Sequence, residues 1–203
     1  MQPAETGFFA LLYRLKYINR WGLMRNAESE NLKEHTVDVA FLAHALAVIR
    51  KQQFGDGRVC PSPEKVAVYA LFHDVTEIIT GDLPTPIKYD NQQLRYEYAL
   101  VEQQAATRLL SFLPSELQDH YSPFFAQATT AEERAIHELV KAADVLSAYI
   151  KCLAEANAGN QDFLDAEQTI KTKLDSYDLP ELNYFMQVAL PSFGKTLDQL
   201  SKA

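Results

Sequence analysis

The stretch Ala70-Leu71-Phe72-His73-Asp74-Val75-Thr76-Glu77 is the most informative part of this sequence about the fold and about a possible ion-binding site. An apolar run passes directly into a His-Asp pair, and a glutamate follows three residues after the aspartate. Residues three and four apart share one face of an α-helix, so we expect His73, Asp74 and Glu77 to project together from a core helix. Burying these groups is costly unless a divalent cation compensates, and imidazole and carboxylate are ligands such cations take. The alternative is an ordinary helix end with His and Asp at the surface. Further candidate ligands elsewhere in the sequence are needed to choose between these two interpretations.

A second anomaly lies far along the chain, at Asp144. It stands between Ala143 and Val145 in a predicted helix whose inward positions are otherwise apolar. A carboxylate in the apolar face of a core helix is rarely left unpaired. One interpretation is a salt bridge to Lys141, three residues earlier. The other is a metal ligand that joins the His-Asp pair.

His35 supplies a further nitrogen ligand in this interpretation. It lies in the first turn of a predicted helix that begins near Glu34, where a Ser or Thr cap is expected but Lys33 stands. That helix carries an apolar stripe of Val37, Phe41, Ala45 and Val48. Four N/O ligands from three helices can hold one divalent ion and leave positions open for water and substrate. The predicted metal ligands are therefore His35, His73, Asp74 and Asp144.

Composition limits the classes of protein to which the chain can belong. Its 203 residues are 47% hydrophobic and 23% charged, with a formal net charge of −8. These values fit one globular domain spanning residues 1–203, and the negative charge argues against nucleic-acid binding. No run approaches the ~18 apolar residues of a membrane span, and the first residues lack the regions of a signal peptide. With Cys60 and Cys152 as its only cysteines, the protein is expected in the reducing cytoplasm.

Helical periodicity dominates the chain, which has only 7 glycines and little strand-like alternation. One all-helical domain is the economical prediction. Ser62 and Pro63 are a start signal for the helix that carries the His-Asp pair, and Gly81 is its expected end. Thr130 and Glu133 have the spacing of a capping box that opens the helix with Asp144. Further helices are predicted near 8–18, 91–112, 162–177 and 180–190, with a short one that starts at Pro114-Ser115 and a last one that ends near Leu200.

Several motifs together carry a resemblance to a known family. They are Arg14-Leu15-Lys16, Ile18-Asn19-Arg20-Trp21, Glu34-His35, His73-Asp74-Val75-Thr76-Glu77, Thr80-Gly81-Asp82-Leu83-Pro84-Thr85-Pro86, Lys141-Ala142-Ala143-Asp144, Tyr184-Phe185 and Pro191-Ser192-Phe193. This arrangement resembles the HD-domain phosphohydrolases, and more closely the bacterial 5′-deoxynucleotidases of the YfbR type. The resemblance implies an all-α fold as a single compact HD-domain helical bundle, a homodimer, and metal-dependent hydrolysis of deoxyribonucleoside 5′-monophosphates to deoxyribonucleoside and phosphate. Lys33 and the pair Val75-Thr76 depart from the family pattern.

Chemistry and resemblance together assign catalytic roles. One divalent ion, Co²⁺, Mn²⁺ or another transition metal, would polarise the phosphate and lower the pKa of a bound water. Glu77 is not needed as a ligand and is left to move protons, either from the attacking water or to the leaving O5′. Asp74 and Arg20 complete the predicted catalytic set, Arg20 because its fork of donors fits a phosphate. An ordinary surface arginine is the alternative for Arg20.

The nucleoside pocket is predicted from fewer signals. Trp21 is the only tryptophan. A tryptophan is more often a core residue, but the resemblance favours Trp21 as a wall of the sugar pocket. In that position its side chain would make ribonucleotides poor substrates. Asp82 is either a plain turn aspartate or, by resemblance, a contact to the sugar. The predicted substrate contacts are Arg20, Trp21, His35, Asp74, Asp82, Leu83, Pro84, Thr85 and Asp144.

Other functions compete with this prediction. Another HD-domain nucleotide phosphohydrolase, such as a deoxynucleoside triphosphatase, remains open, although the chain has few basic residues to hold a triphosphate. Guanosine-tetraphosphate hydrolases carry an acidic pair after the His-Asp, whereas here Ile78 follows Glu77. A non-catalytic helical interaction module is a further alternative, but such modules tend to lose the ligands that this chain keeps.

Overall fold

The structure, a computed structural model, describes residues 5–84 and 91–202. Its regular elements are helices, and within those two ranges the only β pairing is an isolated bridge between Asn19 and Asn31. The helices are α1 (Phe8–Tyr13), α2 (Leu32–Gln53), α3 (Pro63–Phe72), α4 (Glu77–Thr80), α5 (Gln92–Ser111), α6 (Ser115–Tyr121), α7 (Ala131–Asn157), α8 (Leu164–Asp175), α9 (Pro180–Val188) and α10 (Leu197–Leu200), with 3₁₀ turns at Arg14–Tyr17, Ser122–Phe124, Gln161–Phe163 and Leu190–Ser192. The predicted all-α class is confirmed. No helix in the described part of the chain combines the length and the apolar character needed to cross a membrane.

The described residues group into two compact units. The first takes in the described residues within Met1–Leu23, Ser29–Thr36 and Leu71–Gln127. Its core is apolar and includes Val75, which directly follows the His-Asp pair. The buried members of that core are Phe8, Leu15, Leu32, Val75, Leu109 and Leu113. Because Val75 is buried among them, the backbone on the C-terminal side of the His-Asp pair is anchored in a packed core.

Aromatic rings extend the core of the first unit. The rings of Phe72 and Phe124 stack with centroids 4.5 Å apart and planes inclined by 5°. Tyr121 meets Phe72 edge to face at 5.8 Å and Phe8 at 5.1 Å. Such pairs add to stability beyond the area they bury. The last residue of α3 is therefore fixed by its ring, immediately before the chain turns at His73.

The second unit takes in Met24–Glu28, Val37–Ala70 and Ala128–Ala203, and α7 supplies much of its core. The predicted capping box is present: Thr130 Oγ1 accepts from the amide of Glu133, and the Glu133 carboxylate accepts from the amide of Thr130. Hydrogen bonds from the backbone of Thr130 and Thr129 lower the pKa of Glu133 to about 2. The cap is therefore charged throughout the neutral range, which favours the start of the helix that carries Asp144.

An ion network centred on two buried residues, Arg50 and Glu181, also holds the second unit together. Arg50 Nε donates to Glu181 Oε1 at 2.6 Å, and Arg58 Nη1 donates to Glu181 Oε2 at 2.7 Å. Glu138 binds Arg50 Nη2 at 2.7 Å. Arg50 and Glu181 are both buried, so removing either partner would leave an uncompensated charge in the interior.

Helix α2 starts earlier than the sequence suggested, and its buried face is a different one. Its cap is Asn31, whose Oδ1 accepts from the amides of Lys33 and Glu34 at 3.1 Å each. The predicted apolar stripe is not buried at its first two positions, where Val37 is 39% exposed and Phe41 is 72% exposed. Its other two members, Ala45 and Val48, are half-buried. The buried positions of α2 are Leu32, His35, Thr36, Val39, Ala40, Leu42, Ala43, Leu46, Ala47 and Arg50.

Candidate metal centre

The His-Asp pair lies in a break between two helices. Helix α3 ends at Phe72 and α4 begins at Glu77, so the expectation that one continuous helix carries the pair and Glu77 is wrong. In the intervening turn the amide of Glu77 donates to the carbonyl of Asp74 at 3.0 Å. The predicted end at Gly81 is correct: Gly81 has a φ of 74°, a region that favours glycine, and closes α4.

The structure brings together two imidazoles and one carboxylate of the predicted ligand set. His73 Nε2 lies 3.0 Å from Asp74 Oδ2, and His35 Nε2 lies 3.6 Å from the same oxygen. The ligand atoms of His35, His73 and Asp74 all lie within 4.8 Å of one another. The His35 side chain has no exposed surface, and the first turn of α2 carries it. Such a mixed N/O set suits a borderline transition metal, so the residues present fit the ion that the sequence predicted.

The protonation state of Asp74 is the one that a metal ligand needs. Desolvation by burial raises the pKa of its carboxyl, but the charge of His73 and the hydrogen bonds from His35 and His73 outweigh burial. The pKa of Asp74 is therefore well below its usual range. An ionised carboxylate beside two imidazoles attracts a cation.

Asp144 lies in the middle of α7, in the second unit. It is half-buried, between the buried Ala143 and Val145. This is the placement in an apolar helix that the sequence indicated. Its role as a ligand stays a prediction.

Glu77 and the segment after it come next in the chain, directly after the turn that contains His73 and Asp74. Glu77 is a buried residue at the first position of α4. Asp82, Leu83 and Pro84 are half-buried, while Thr85, the next predicted substrate contact, lies outside the described residues. Tyr98 of α5 donates to Thr80 Oγ1 at 3.3 Å, which ties the end of α4 to a longer helix. The catalytic and substrate-binding roles of these residues stay predictions.

Arg20 and Trp21 meet a residue that sequence reasoning missed, Glu30. Arg20 Nη1 lies 2.7 Å from Glu30 Oε2, and the indole Nε1 of Trp21 donates to that same oxygen at 2.8 Å. The guanidinium carbon of Arg20 lies 5.7 Å from the centre of the Trp21 ring. Nothing in the sequence marked Glu30, because it stands in a polar stretch that reads as an ordinary loop.

The backbone of Trp21 is strained. Its φ of 59° is the one positive φ of a non-glycine residue in the described ranges. For a bulky residue this conformation costs of order 1–3 kcal/mol and persists only when the surroundings impose it. The bond to Glu30 is one of the contacts that hold Trp21 in place.

Comparison with solved structures identifies the class of fold. An HD-domain phosphohydrolase from Listeria innocua superposes with a TM-score of 0.77 and 22% sequence identity, covering 96% of this chain and 95% of that chain. The cyanophage S-2L HD phosphohydrolase DatZ, described as bound to dA and one catalytic Zn²⁺ ion, superposes with a TM-score of 0.62 and 20% identity, over 97% of this chain and 100% of that one. The fold is therefore that of the HD-domain phosphohydrolases.

Sequence comparison narrows this class to a family. Residues 7–193 match the family described as 5′-deoxynucleotidase YfbR-like. A 5′-deoxynucleotidase of Cronobacter sakazakii is 46% identical over 199 residues, which is 98% of this chain and 98% of that protein. The chain belongs to the 5′-deoxynucleotidase YfbR-like family, so the resemblance that the motifs indicated is confirmed.

Proposed function

We propose that this protein is a metal-dependent 5′-deoxynucleotidase that converts deoxyribonucleoside 5′-monophosphates to deoxyribonucleoside and phosphate. The observation that carries the proposal is the convergence of His35, His73 and Asp74 on one point in a member of this family. We propose Asp144 as the fourth ligand, because its carboxylate lies half-buried in the middle of an apolar helix and is of a ligand type that suits such an ion.

The bound ion would polarise the phosphate and lower the pKa of a water towards neutrality. The water oxygen forms a bond to phosphorus while the bond from phosphorus to O5′ breaks, and O5′ gains a proton. Glu77 is the proposed proton carrier because its side chain is buried and its backbone lies next to a proposed ligand. The backbone amide of Glu77 donates a hydrogen bond to the carbonyl oxygen of Asp74. It either takes the proton of the attacking water or delivers one to O5′, and both assignments stay open.

Arg20 is the proposed phosphate contact. Its planar guanidinium carries five N–H donors, and Glu30 engages only one of its nitrogens in the ion pair. A fork of donors matches the oxygens of a phosphate and neutralises part of their charge. In a chain with a net charge of −8, such a local cation offsets the overall field that repels an anion.

Trp21 and Asp82 are the proposed determinants of sugar specificity. The indole would occupy the space that a ribonucleotide needs for its 2′-hydroxyl, and Asp82 would accept a hydrogen bond from the 3′-hydroxyl. Apolar lining alone rejects an added hydroxyl by only about 10²-fold, so stronger discrimination requires steric exclusion as well. We propose Leu83 and Pro84 as further contacts in this pocket, while the predicted contact at Thr85 lies outside the described residues.

The organisation of the protein in the cell is also a proposal. We expect one HD domain over residues 1–203, a homodimer, and a cytoplasmic location, in line with the family and with the two free cysteines. We expect no nucleic-acid or membrane partner. The competing activity is a deoxynucleoside triphosphatase, which would release triphosphate rather than orthophosphate.

The experiment combines metal analysis with product analysis. Purified protein is stripped with a chelator, reloaded with Co²⁺, Mn²⁺ or Zn²⁺, and assayed on dAMP, AMP and dATP with chromatographic detection of products. We expect orthophosphate from dAMP only in the reloaded protein. Triphosphate release from dATP without turnover of dAMP would favour the competing activity, and full dAMP turnover after exhaustive chelation would end the metal proposal.

A further inference from the structure

We infer that Glu30 is a positioning residue that joins Arg20 and Trp21 into one clamp, so that a single carboxylate sets both phosphate affinity and sugar selectivity. This inference rests on the proposed function of those two residues. Glu30 itself is assigned no contact with the substrate.

The first support is that one oxygen atom serves both side chains. Glu30 Oε2 accepts from Arg20 Nη1 at 2.7 Å and from Trp21 Nε1 at 2.8 Å. The side chains of Arg20 and Glu30 are only 13% and 11% exposed, so solvent screens their attraction weakly. Because the two donors share one acceptor atom, the position of that atom determines a hydrogen bond of each side chain.

The second support is that the backbone of Glu30 is hydrogen-bonded as well as its side chain. The carbonyl of Glu30 accepts from the amide of Arg20 at 3.0 Å. Next to this bond lies the bridge between Asn19 and Asn31, and the amide of Leu32 donates to the carbonyl of Ile18 at 2.8 Å. The carboxylate is therefore presented from a paired segment, not from a mobile loop.

The third support is the chemistry of the two groups that are held. A guanidinium is rigid and planar, so fixing one nitrogen restricts the orientation of all its donors. An indole has a single donor, Nε1, and a fixed partner for it restricts the rotation of the ring. Pre-ordering both groups lowers the entropy lost when a nucleotide binds.

The negative charge of Glu30 allows an alternative role, in which Glu30 competes with the phosphate for Arg20 instead of positioning it. A carboxylate that merely competes with phosphate for Arg20 would weaken substrate binding, and its neutralisation to glutamine would strengthen it. A positioning carboxylate has the opposite effect. Glu30→Gln keeps the size of the side chain and an acceptor for the indole but removes the ion pair, so the two accounts predict KM changes of opposite sign.

The experiment compares Glu30→Gln, Glu30→Ala and Glu30→Asp with the wild type on dAMP and AMP. We expect Glu30→Gln to raise KM for dAMP by roughly 10- to 150-fold, the range for the loss of a hydrogen bond to a charged group, with a smaller change in kcat. Glu30→Ala should also lower the dAMP/AMP ratio of kcat/KM, and Glu30→Asp should restore part of both losses. Glu28→Gln is the matched control, since Glu28 is an exposed acid two residues away and should change neither value.

A second readout does not depend on turnover. Trp21 is the only tryptophan, so fluorescence excited at a wavelength that tyrosine does not absorb reports on the surroundings of this one residue. Glu30→Ala should shift the emission to longer wavelength and increase quenching by acrylamide, whereas Glu28→Gln should do neither. A lower KM in Glu30→Gln, or unchanged KM and dAMP/AMP ratio in Glu30→Ala despite altered fluorescence, would overturn the inference. Failure of the wild type to hydrolyse dAMP would instead count against the proposed function, and the fluorescence would still test whether Glu30 holds Trp21.

Discussion

The amide of Glu77 donates to the carbonyl oxygen of Asp74, three residues earlier, at 3.0 Å. In a continuous α-helix that amide would donate to the carbonyl of His73, four residues earlier. The i to i−3 bond therefore marks a tightened turn in which the helix is interrupted at the metal ligands. Because of this turn, Glu77 starts a new helix instead of extending the old one.

The first prediction concerns metal affinity. Replacing Asp74 by alanine removes the oxygen that both imidazoles face, so the variant should lose bound metal and activity together. In the wild type a metal at 100 times its Kd should add about 2.7 kcal/mol to the free energy of unfolding. Thermal melts with and without Co²⁺ or Mn²⁺ measure this shift. Asp56→Ala, at an exposed loop position, is the control and should respond like the wild type; a metal-induced shift retained in Asp74→Ala would contradict the assignment.

The second prediction separates the proton carrier from the ligands. Glu77→Gln should keep the bound metal and a KM near that of the wild type but lose turnover by roughly 10²–10⁴-fold, the usual contribution of a general acid or base. Metal analysis of the purified variant, next to its kcat, is the measurement. Loss of the metal would show instead that Glu77 is itself a ligand.

The third prediction concerns the sugar. Trp21→Ala should raise kcat/KM on AMP relative to dAMP, because the space closed by the indole becomes available to a 2′-hydroxyl. Arg20→Ala should lower kcat/KM for both substrates to the same extent, because both carry the phosphate that Arg20 contacts. Paired assays of dAMP and AMP measure the two ratios. Equal wild-type rates on the two nucleotides would remove the basis for a sugar pocket at Trp21.

The fourth prediction concerns pH and a different carboxylate, Glu155. Its side chain is buried and accepts from Lys151, from Asn160 and from the amides of Ala27 and Glu28. Desolvation raises its pKa, but these hydrogen bonds lower it further, to about 2 from a usual 4.5. A shift of this size corresponds to roughly 3 kcal/mol of stability at neutral pH.

Because the folded pKa of Glu155 is depressed, its contribution is complete above about pH 4.5 and declines as the pH falls towards about 2. Glu155→Gln should therefore be less stable than the wild type at pH 7, and the gap should narrow in acid. Urea denaturation at several pH values measures it. Glu97→Gln, at an exposed position of α5, serves as the control. A gap that stays constant from pH 7 to pH 3 would contradict the depressed pKa.

Sequence reasoning succeeded where the signals are local. The capping box of Thr130 and Glu133 and the helix end at Gly81 each depend on a few neighbouring residues with one favoured geometry. His35, His73 and Asp74 were found because polar ligands in apolar helices are costly to leave uncompensated, and the structure brings the three together.

The errors come from tertiary context. The apolar stripe of α2 at Val37 and Phe41 has helical spacing, but packing placed the buried face on His35 and Val39 instead. The break after Phe72 carries no proline or glycine, so the local sequence did not reveal it. Glu30 could not be found because its importance lies in two contacts to residues about ten positions away, which no periodic pattern encodes.

The bridge between Asn19 and Asn31 has a consequence for the order in which the protein assembles. Arg20 and Glu30 are separated by only 10 positions, so bringing them together closes a short loop at small entropic cost. The contact between His35 and Asp74 joins residues that are much further apart in the sequence, so it closes a longer loop. Contacts of short range tend to form early in folding, and the clamp around Trp21 should be native-like while the metal ligands are still apart. On this kinetic route the proposed set of metal ligands would be complete only late in folding, after the clamp has formed.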